Sequence, residues 1–231
     1  MKKLIFIHGS GNTAKVWRYQ TQRFPDAEAI NLPGHLFPGE PCTSIEDYVT
    51  WLHCYILEQG YHAPVLAGHS LGGAIVQMYA LRHPEDIEAI ILAGTGAKLR
   101  VAPQYLSSIQ DGIEDSSTWL QNFVEPQYSH IEPELREKLL AETVKVGARV
   151  QLNDYLCCDK FDILEKVHQI KVPTLVLCGS EDVMTPPKYS SYLAARIEGA
   201  KLIVVDGGTH YFFAEKPEVV NQAIEQFLHG L

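Results

Sequence analysis

The chain has little of what marks nucleic-acid-binding and membrane proteins. Lysine and arginine total 19 against 28 aspartates and glutamates, which gives a formal net charge of −9. Nucleic acids and anionic membrane surfaces attract basic patches, so this acidic balance argues against both as partners. No apolar run approaches the roughly 20 residues that span a bilayer. The sequence therefore predicts no nucleic-acid partner and no membrane partner.

The N-terminus and the cysteines predict a protein that is neither secreted nor disulfide-bonded. The apolar stretch Leu4–Ile7 is too short for the core of a secretory signal, and no small-residue cleavage site follows it. The five cysteines are an odd number, which is typical of free thiols in a reducing compartment. We therefore expect a cytoplasmic protein. The adjacent pair Cys157-Cys158 is interpreted as incidental rather than as a redox element.

Metal-ligand spacing is also missing. The ten histidines contain no His-x-x-x-His pattern and no His/Cys pairing of the kind that holds zinc. The sequence therefore predicts neither a metal nor another cofactor.

What the chain does contain is an alternation of strand and helix patterns. Apolar runs typical of buried strands occupy residues 4–7, 27–32, 65–67, 87–93, 172–178 and 201–205. Helical patterns cover residues 14–24, 44–58, 72–83 and 217–228, and Ser44 followed by acidic residues reads as a helix cap. Trp17 and Phe24 are the expected core anchors of the first helix. Strands that alternate with helices imply an α/β protein whose parallel sheet is covered on both faces.

The pattern changes between residues 96 and 170. This stretch shows helical periodicity without a convincing strand, and its clearest helix covers residues 134–146. We therefore expect an α/β core built from residues 1–95 and 171–231, with a helical cap inserted at 96–170. Some of the cap's aromatic residues are expected to line an apolar pocket: Tyr105, Trp119, Phe123, Tyr128, Tyr155 and Phe161.

The most informative motif is Gly68-His69-Ser70-Leu71-Gly72. It follows a short apolar run and precedes a helical pattern. Strand, sharp turn and helix are the context in which Gly-x-Ser-x-Gly forms a nucleophile elbow. Because Gly68 and Gly72 lack a Cβ, they permit the strained backbone that such a turn imposes on Ser70.

Chemically useful side chains follow four of the predicted strands. Ser10 follows the first strand, Ser70 the one before the elbow, Asp182 the strand after the insertion, and His210 the last strand. Ligands of open α/β sheets bind outside the carboxyl ends of the strands. The sequence therefore predicts that these residues share one site.

Together these motifs resemble those of the α/β-hydrolase superfamily. The matching segments are His8-Gly9-Ser10-Gly11, Asn31-Leu32-Pro33-Gly34-His35, Gly68-His69-Ser70-Leu71-Gly72-Gly73, Gly179-Ser180-Glu181-Asp182 with Pro186, and Gly208-Thr209-His210 with Glu215-Lys216-Pro217. The order Ser, Asp, His is the one this superfamily uses. Members usually carry one or two strands before the His-Gly strand, so the resemblance implies a shorter sheet of roughly six mostly parallel strands.

The resemblance and the chemistry imply a role for each site residue. Ser70 would attack a carbonyl carbon after His210, as general base, takes its proton. Asp182 would hold the imidazole in the productive tautomer. The resemblance also points to the backbone N–H groups of Ser10 and Leu71 as the oxyanion hole.

Other residues compete for these roles. Glu181 adjoins Asp182, but the family spacing favours Asp182, and Asp206 has no family match. His69 is interpreted as a packing residue of the elbow. The remaining candidates are interpreted as structural or solvated: His8 as a brace of the oxyanion loop, His35 as a turn cap in preference to a pocket residue, and Lys98 and Arg100 as solvated cations in preference to ligands of an acidic substrate group.

These residues predict a serine hydrolase that cleaves a carboxylic ester of a small molecule, with water as second substrate. The expected subclass is carboxylesterase-like. A thioester, lactone, amide or carbon–carbon bond is an alternative target, since related members act on each. A second alternative is a small-ligand receptor on the same fold with little turnover, although receptors tend to have a damaged triad.

Overall fold

Six strands form one parallel sheet in the computed structural model, which describes residues 3–231. In chain order they are β1 Leu4–Ile7, β2 Glu28–Ile30, β3 Val65–His69, β4 Ala89–Ala93, β5 Thr174–Gly179 and β6 Lys201–Val205. The order across the sheet is β2-β1-β3-β4-β5-β6, and every neighbouring pair is parallel. The prediction of roughly six parallel strands is confirmed.

Helices lie between the strands. They are α1 Arg18–Arg23, α2 Ile45–Glu58, α3 Leu71–Arg82, α4 Pro103–Asp111, α5 Ser116–Trp119, α6 Glu125–Gln127, α7 Pro133–Val146, α8 Ala148–Lys160, α9 Pro187–Arg196, α10 Phe212–Glu215 and α11 Pro217–His229. A short π-helical segment, Leu120–Val124, connects α5 and α6. None of the helices within residues 3–231 has both the length and the apolarity that crossing a membrane requires.

Strand alternation divides the core into two layers. Ile5 and Ile7 of β1 pack in one apolar cluster with Leu52 of α2 and Ile75 of α3. The alternate residues Leu4 and Phe6 pack in the second cluster, which includes Trp17, Val220, Ile224 and Phe227. Successive side chains of a strand point to opposite faces, so continuous apolar runs require cover on both sides. The prediction of helices on both faces is confirmed.

Several element boundaries differ from the sequence prediction. The helix expected over 14–24 is a 3₁₀ turn, Ala14–Trp17, followed by the short α1, and Phe24 beyond it is only half-buried. Strand β4 begins at Ala89 rather than at residue 87, because its ladder with β3 starts at the Val65–Ala89 pair. Helix α9 was not predicted. It buries only Ser190 and Leu193, so its apolar face is too narrow to read from the sequence.

Helices α4 to α8 all fall between β4 and β5. Within this described stretch the β pairing is an isolated bridge between Lys98 and Asp162. The absence of a strand from 96 to 170 was expected from the sequence. Its division from the core as a separate cap stays a prediction.

Candidate active site

Ser70 occupies the sharp turn between β3 and α3. Its backbone has φ 53° and ψ −113°, a conformation that is costly for a residue with a side chain. The Ser70 N–H donates to the Ala93 carbonyl at 3.0 Å, and the Thr95 hydroxyl donates to the Ser70 carbonyl at 2.9 Å. These contacts with the end of β4 hold the strained turn in place.

The glycines beside Ser70 are required by backbone contacts. A Cβ on Gly68 would lie 2.2 Å from the Gly72 carbonyl oxygen. A Cβ on Gly72 would lie 2.5 Å from the Ile7 carbonyl oxygen at the end of β1. Gly68 therefore permits the turn itself, whereas Gly72 lets the start of α3 approach β1.

Asp182 and His210 form a buried pair beyond the ends of β5 and β6. The His210 Nδ1–H donates to Asp182 Oδ2 at 2.8 Å. The same carboxylate oxygen accepts from the Thr185 hydroxyl at 2.8 Å, and Oδ1 accepts from the N–H groups of Met184 and Thr185, each at 2.9 Å. Both side chains are buried, so this arrangement fixes the orientation of the imidazole.

The electrostatics keep Asp182 ionised. Burial alone would raise the pKa of this carboxyl, but the charge and hydrogen bond of His210 and the donors from Thr185 outweigh it, and the pKa is lowered. Thr185 was not singled out from the sequence. The spacing Asp-x-x-Thr could have indicated its contact with Asp182, because in short turns an aspartate side chain accepts hydrogen bonds from the residues that follow it.

The competing acids are not the ones that pair with His210. Glu181 and Asp206 are both exposed, and Asp182 is the carboxylate in contact with His210. The structure therefore brings together the Asp–His pair that the sequence favoured.

His69 packs beneath the site. Its Nε2–H donates to the His210 carbonyl at 3.0 Å, and its ring contacts those of His210, Tyr211 and Phe213. Burial, reinforced by the nearby His210, lowers the pKa of His69 well below its usual value. A neutral, fully buried imidazole in an aromatic cluster fits the packing role expected for it.

Hydrogen bonds at Gly11 and Asn12 hold the loop Gly9–Asn12, which follows β1. The Gly11 N–H donates to Asp154 Oδ2 at 2.8 Å, and the Asn12 side chain donates to the Ser10 carbonyl at 3.2 Å and to the Tyr211 hydroxyl at 3.0 Å. We name this segment the oxyanion loop, after the role predicted for the Ser10 N–H.

His8 braces the start of this loop. Its Nδ1–H donates to the Gly9 carbonyl at 2.8 Å, and its Nε2 accepts from the Leu32 N–H at 3.1 Å. Burial lowers the pKa of His8 well below its usual value, and the neighbouring His35 adds to the effect. His8 is therefore neutral and ties the end of β1 to the segment after β2.

His35 differs from its prediction as a turn cap. It does contact the turn, with Nδ1 3.0 Å from the Pro33 carbonyl, but its Nε2 lies 2.7 Å from Asp154 Oδ2 and the whole side chain is buried. A buried His–Asp pair between distant segments was missed by the sequence analysis. The feature of the sequence that could have indicated this pair is Asp154, a carboxylate on a face of α8 whose other residues are buried.

Ser70 opens into a cavity of about 300 Å³ between the sheet and the inserted helices. Its wall includes Ser10, Arg100, Tyr105, Tyr155, Cys158 and Thr185. A neighbouring cavity of about 440 Å³ reaches His210 and is lined by Phe123, Met184 and Thr209 among others. Of the six aromatic residues named from the sequence, Tyr105, Phe123 and Tyr155 line these cavities. Trp119, Tyr128 and Phe161 belong to the apolar clusters.

The two basic residues after β4 have different surroundings. Lys98 is exposed and forms an ion pair with Asp162 at 2.6 Å. Arg100 lines the Ser70 cavity, and none of the described carboxylates lies within ion-pair distance of it. Arg100 is thus a cation at the mouth of the site that has no acidic partner within residues 3–231.

One cluster in the described part of the chain has the make-up of a metal site. It consists of His53, His83 and Asp86, whose ligand atoms all lie within 4.8 Å of one another. These residues are half-buried and line neither of the two cavities at Ser70 and His210.

Comparison with known proteins identifies the family to which this chain belongs. The model of the alpha/beta hydrolase family matches residues 4–223, nearly the whole chain. The chain therefore belongs to the alpha/beta hydrolase family and is a hydrolase.

Relatives of this chain include esterases and lactonases. A pimeloyl-[acyl-carrier protein] methyl ester esterase of Neisseria meningitidis is 24% identical over 100% of this chain and 78% of its own length. A solved structure described as a thermophilic esterase is 32% identical, covers 100% of this chain and 90% of its own, and has a TM-score of 0.83. The enol-lactonase of Burkholderia xenovorans shares the fold with a TM-score of 0.90 at 20% identity, over 99% of this chain and 91% of its own. Hydrolysis of an ester or related acyl bond is consistent with this set.

Proposed function

We propose that the chain is a serine hydrolase that cleaves a carboxylic ester or related acyl bond of a small molecule through an acyl-enzyme. The observation that carries the proposal is the buried Asp182–His210 pair at the same sheet edge as a strained serine. A hydrogen bond of 2.8 Å joins the pair, and Ser70 follows the central strand β3 with φ 53°. Strain of this kind is retained where the surrounding structure enforces it, most often at functional sites.

In the first step Ser70 Oγ attacks the acyl carbon. Its proton passes to His210 Nε2, while Asp182 holds the proton on Nδ1 and stabilises the cation that forms. When the tetrahedral intermediate collapses, the bond to the leaving oxygen breaks. The departing alkoxide takes the proton from His210, which leaves an acyl ester on Ser70 and a free alcohol.

The second step repeats this chemistry with water. His210 takes a proton from a water molecule, whose oxygen attacks the acyl carbon. Collapse of this second intermediate returns the proton to Ser70 Oγ and releases the carboxylic acid. Atoms balance as ester plus water giving acid plus alcohol.

The negative charge on the tetrahedral intermediates needs donors that are already in place. Leu71 is the first residue of α3, so its N–H has no partner within the helix, and the helix dipole favours an anion there. The Ser10 N–H on the oxyanion loop would be the second donor. Loss of one such donor typically raises the barrier by roughly 3–4 kcal/mol.

Residues 96–170 would act as the cap that selects the acyl group. Tyr105, Tyr155 and Cys158 from this segment line the Ser70 cavity, which has room for a small molecule. The carboxylesterase-like subclass is part of this proposal and is supported by the esterases among the relatives.

The decisive experiment compares the chain with its Ser70→Ala variant on short-chain p-nitrophenyl esters. We expect turnover by the native chain and none above background by the variant. A fluorophosphonate probe should label Ser70, as located by mass spectrometry. Turnover retained in the variant would refute the mechanism, and no turnover by a folded native chain on any acyl substrate would favour the receptor alternative.

Lactone hydrolysis is the second candidate. A lactone is a cyclic ester, so the same residues would open it, and relatives include a 3-oxoadipate enol-lactonase of Acinetobacter baylyi that is 25% identical over 96% of this chain. Arg100, a cation at the cavity without an acidic partner among the described residues, favours a substrate that carries a carboxylate. A panel of matched esters, lactones, thioesters and amides separates these bond types.

A further inference from the structure

We propose that Asp154, with His35 as its buried counter-ion, is a positioning residue that sets the oxyanion loop for catalysis. The inference rests on the function proposed above and adds a component to it. Its basis is a buried hydrogen-bond network that joins α8 to three other segments of the chain.

Asp154 is the centre of this network. Its Oδ2 accepts from the Gly11 N–H at 2.8 Å and lies 2.7 Å from His35 Nε2, and its Oδ1 accepts from the Tyr48 hydroxyl at 3.0 Å. Asp154, His35 and Tyr48 are each fully buried. The carboxylate of α8 therefore links the oxyanion loop to the segment after β2 and to α2.

The partners of His35 indicate that this ring is a cation. Its Nδ1 faces the Pro33 carbonyl at 3.0 Å and its Nε2 faces the Asp154 carboxylate, so both nitrogens meet acceptors. An imidazole can donate at both positions only when it is protonated. Burial lowers the pKa of His35, but the charge and hydrogen bond of Asp154 outweigh it and the pKa is raised.

A buried carboxylate is costly to desolvate unless donors surround it. Asp154 meets this condition with three donors, one of which is the backbone N–H of Gly11 next to Ser10. The loop also packs closely on α8 at this residue, because Gly11 has φ 67° and a Cβ there would lie 2.6 Å from Gln151 Nε2. Asp154 therefore acts on the Ser10 N–H through the neighbouring peptide.

One face of α8 serves both the loop and the cavity. Gln151 and Asp154 contact Gly11, and Cys158 lies one turn further with its Sγ 3.6 Å from Ser10 Oγ. These residues have the i, i+3, i+7 spacing of a single helix face. Helix α8 thus positions the oxyanion donor while Tyr155 and Cys158 shape the substrate cavity.

The test is Asp154→Asn, which keeps the size of the side chain. The amide keeps one acceptor oxygen and replaces the other with a donor. Either the Tyr48 hydroxyl must accept instead of donate, or the contacts to Gly11 and His35 lose their acceptor, and in both cases His35 loses its counter-charge. Small displacements of a catalytic group cost up to about a hundredfold in rate, and we expect kcat to fall roughly 10- to 100-fold with KM changed less than about twofold. The affinity for a trifluoromethyl ketone, whose tetrahedral adduct places an oxyanion in the hole, should fall by a similar factor.

The matched control is Glu198→Gln. It removes the same charge from an exposed ion pair with Lys171, whose N–O distance is 3.1 Å, and should leave both quantities unchanged. Should Asp154→Asn fail to fold, His35→Gln and Tyr48→Phe remove one partner each, and the same two measurements apply.

The outcomes distinguish a failure of this inference from a failure of the proposed function. A folded Asp154→Asn variant with native kcat and native ketone affinity overturns it, provided that Ser70→Ala is inactive. A loss confined to KM, or to thermal stability alone, also overturns it, because a purely structural aspartate would give that result. Retained activity in Ser70→Ala would instead refute the proposed function.

Discussion

Replacing Asp182 with asparagine tests the proposed mechanism most directly. The side chain keeps its size, and its oxygen can still accept from the N–H groups of Met184 and Thr185, each at 2.9 Å. The new amide nitrogen would then face His210 Nδ1, where the carboxylate oxygen stood at 2.8 Å. Because an amide N–H must donate, the imidazole would turn to the tautomer with hydrogen on Nε2.

That tautomer cannot accept the Ser70 proton. In a serine protease the equivalent change lowers kcat about 10⁴-fold. Here Thr185 also contacts His210 Nδ1, at 3.2 Å, and offers a hydroxyl that can partly restore the correct tautomer. We therefore expect a loss of roughly 10³- to 10⁴-fold in kcat/KM, which corresponds to about 4–5.5 kcal/mol of barrier.

The assay is hydrolysis of p-nitrophenyl acetate, followed with pH, alongside thermal unfolding to confirm the fold. Fluorophosphonate labelling of Ser70 should slow in parallel, because it needs the same base. Asp206→Asn, which changes an exposed acid outside both cavities, is the control and should retain native kinetics. A folded Asp182→Asn variant within tenfold of native activity would refute the assignment of Asp182 as the residue that orients His210.

Three further predictions follow from the packing and charges. Gly72→Ala should lower the free energy of unfolding by about 1–3 kcal/mol in urea titration, since its Cβ would lie 2.5 Å from the Ile7 carbonyl oxygen and 2.6 Å from that of His8. Gly230→Ala is the control and should leave the free energy of unfolding unchanged, because its Cβ would have no atom nearer than 3.4 Å. Arg100→Gln should lower kcat/KM for carboxylate-bearing esters roughly tenfold and leave neutral esters unchanged; an equal effect on both would exclude a charge contact. Folding raises the pKa of His35, so the ion pair with Asp154 stabilises the fold fully below the ordinary histidine pKa of 6.5, and this stabilisation is lost as the pH rises through the folded pKa. The difference in free energy of unfolding between the native protein and Asp154→Asn should therefore shrink at alkaline pH. A difference that stays constant with pH would argue against the ion pair.

Much of the fold could be predicted because its signals are local. A parallel strand shows in the sequence as a short, mostly apolar run. The runs at Leu4–Ile7 and Lys201–Val205 became the buried β1 and the edge strand β6 with the predicted bounds. The cap at Ser44 likewise fixed the start of α2, where its hydroxyl accepts from the Asp47 N–H at 3.1 Å. The weakly amphipathic α9 had no such signal and was missed.

The same contrast holds at the site. Asp182 and His210 could be placed together because each follows a strand of one parallel sheet, and topology alone brings such ends to one edge. His35 and Asp154 are 119 residues apart, and their contact depends on how α8 packs on the core. No local pattern encodes that packing, so the ion pair could not be foreseen.

The position of Asp154 has a consequence for engineering. One way to change the substrate range of such an enzyme is to exchange its inserted helices for those of a relative. Here the exchanged piece would also carry the carboxylate that holds the Gly11 N–H. A chimera that lacks an acid at this point of α8 would bind its new substrate yet turn it over slowly, and restoring that one aspartate would be the first repair to make.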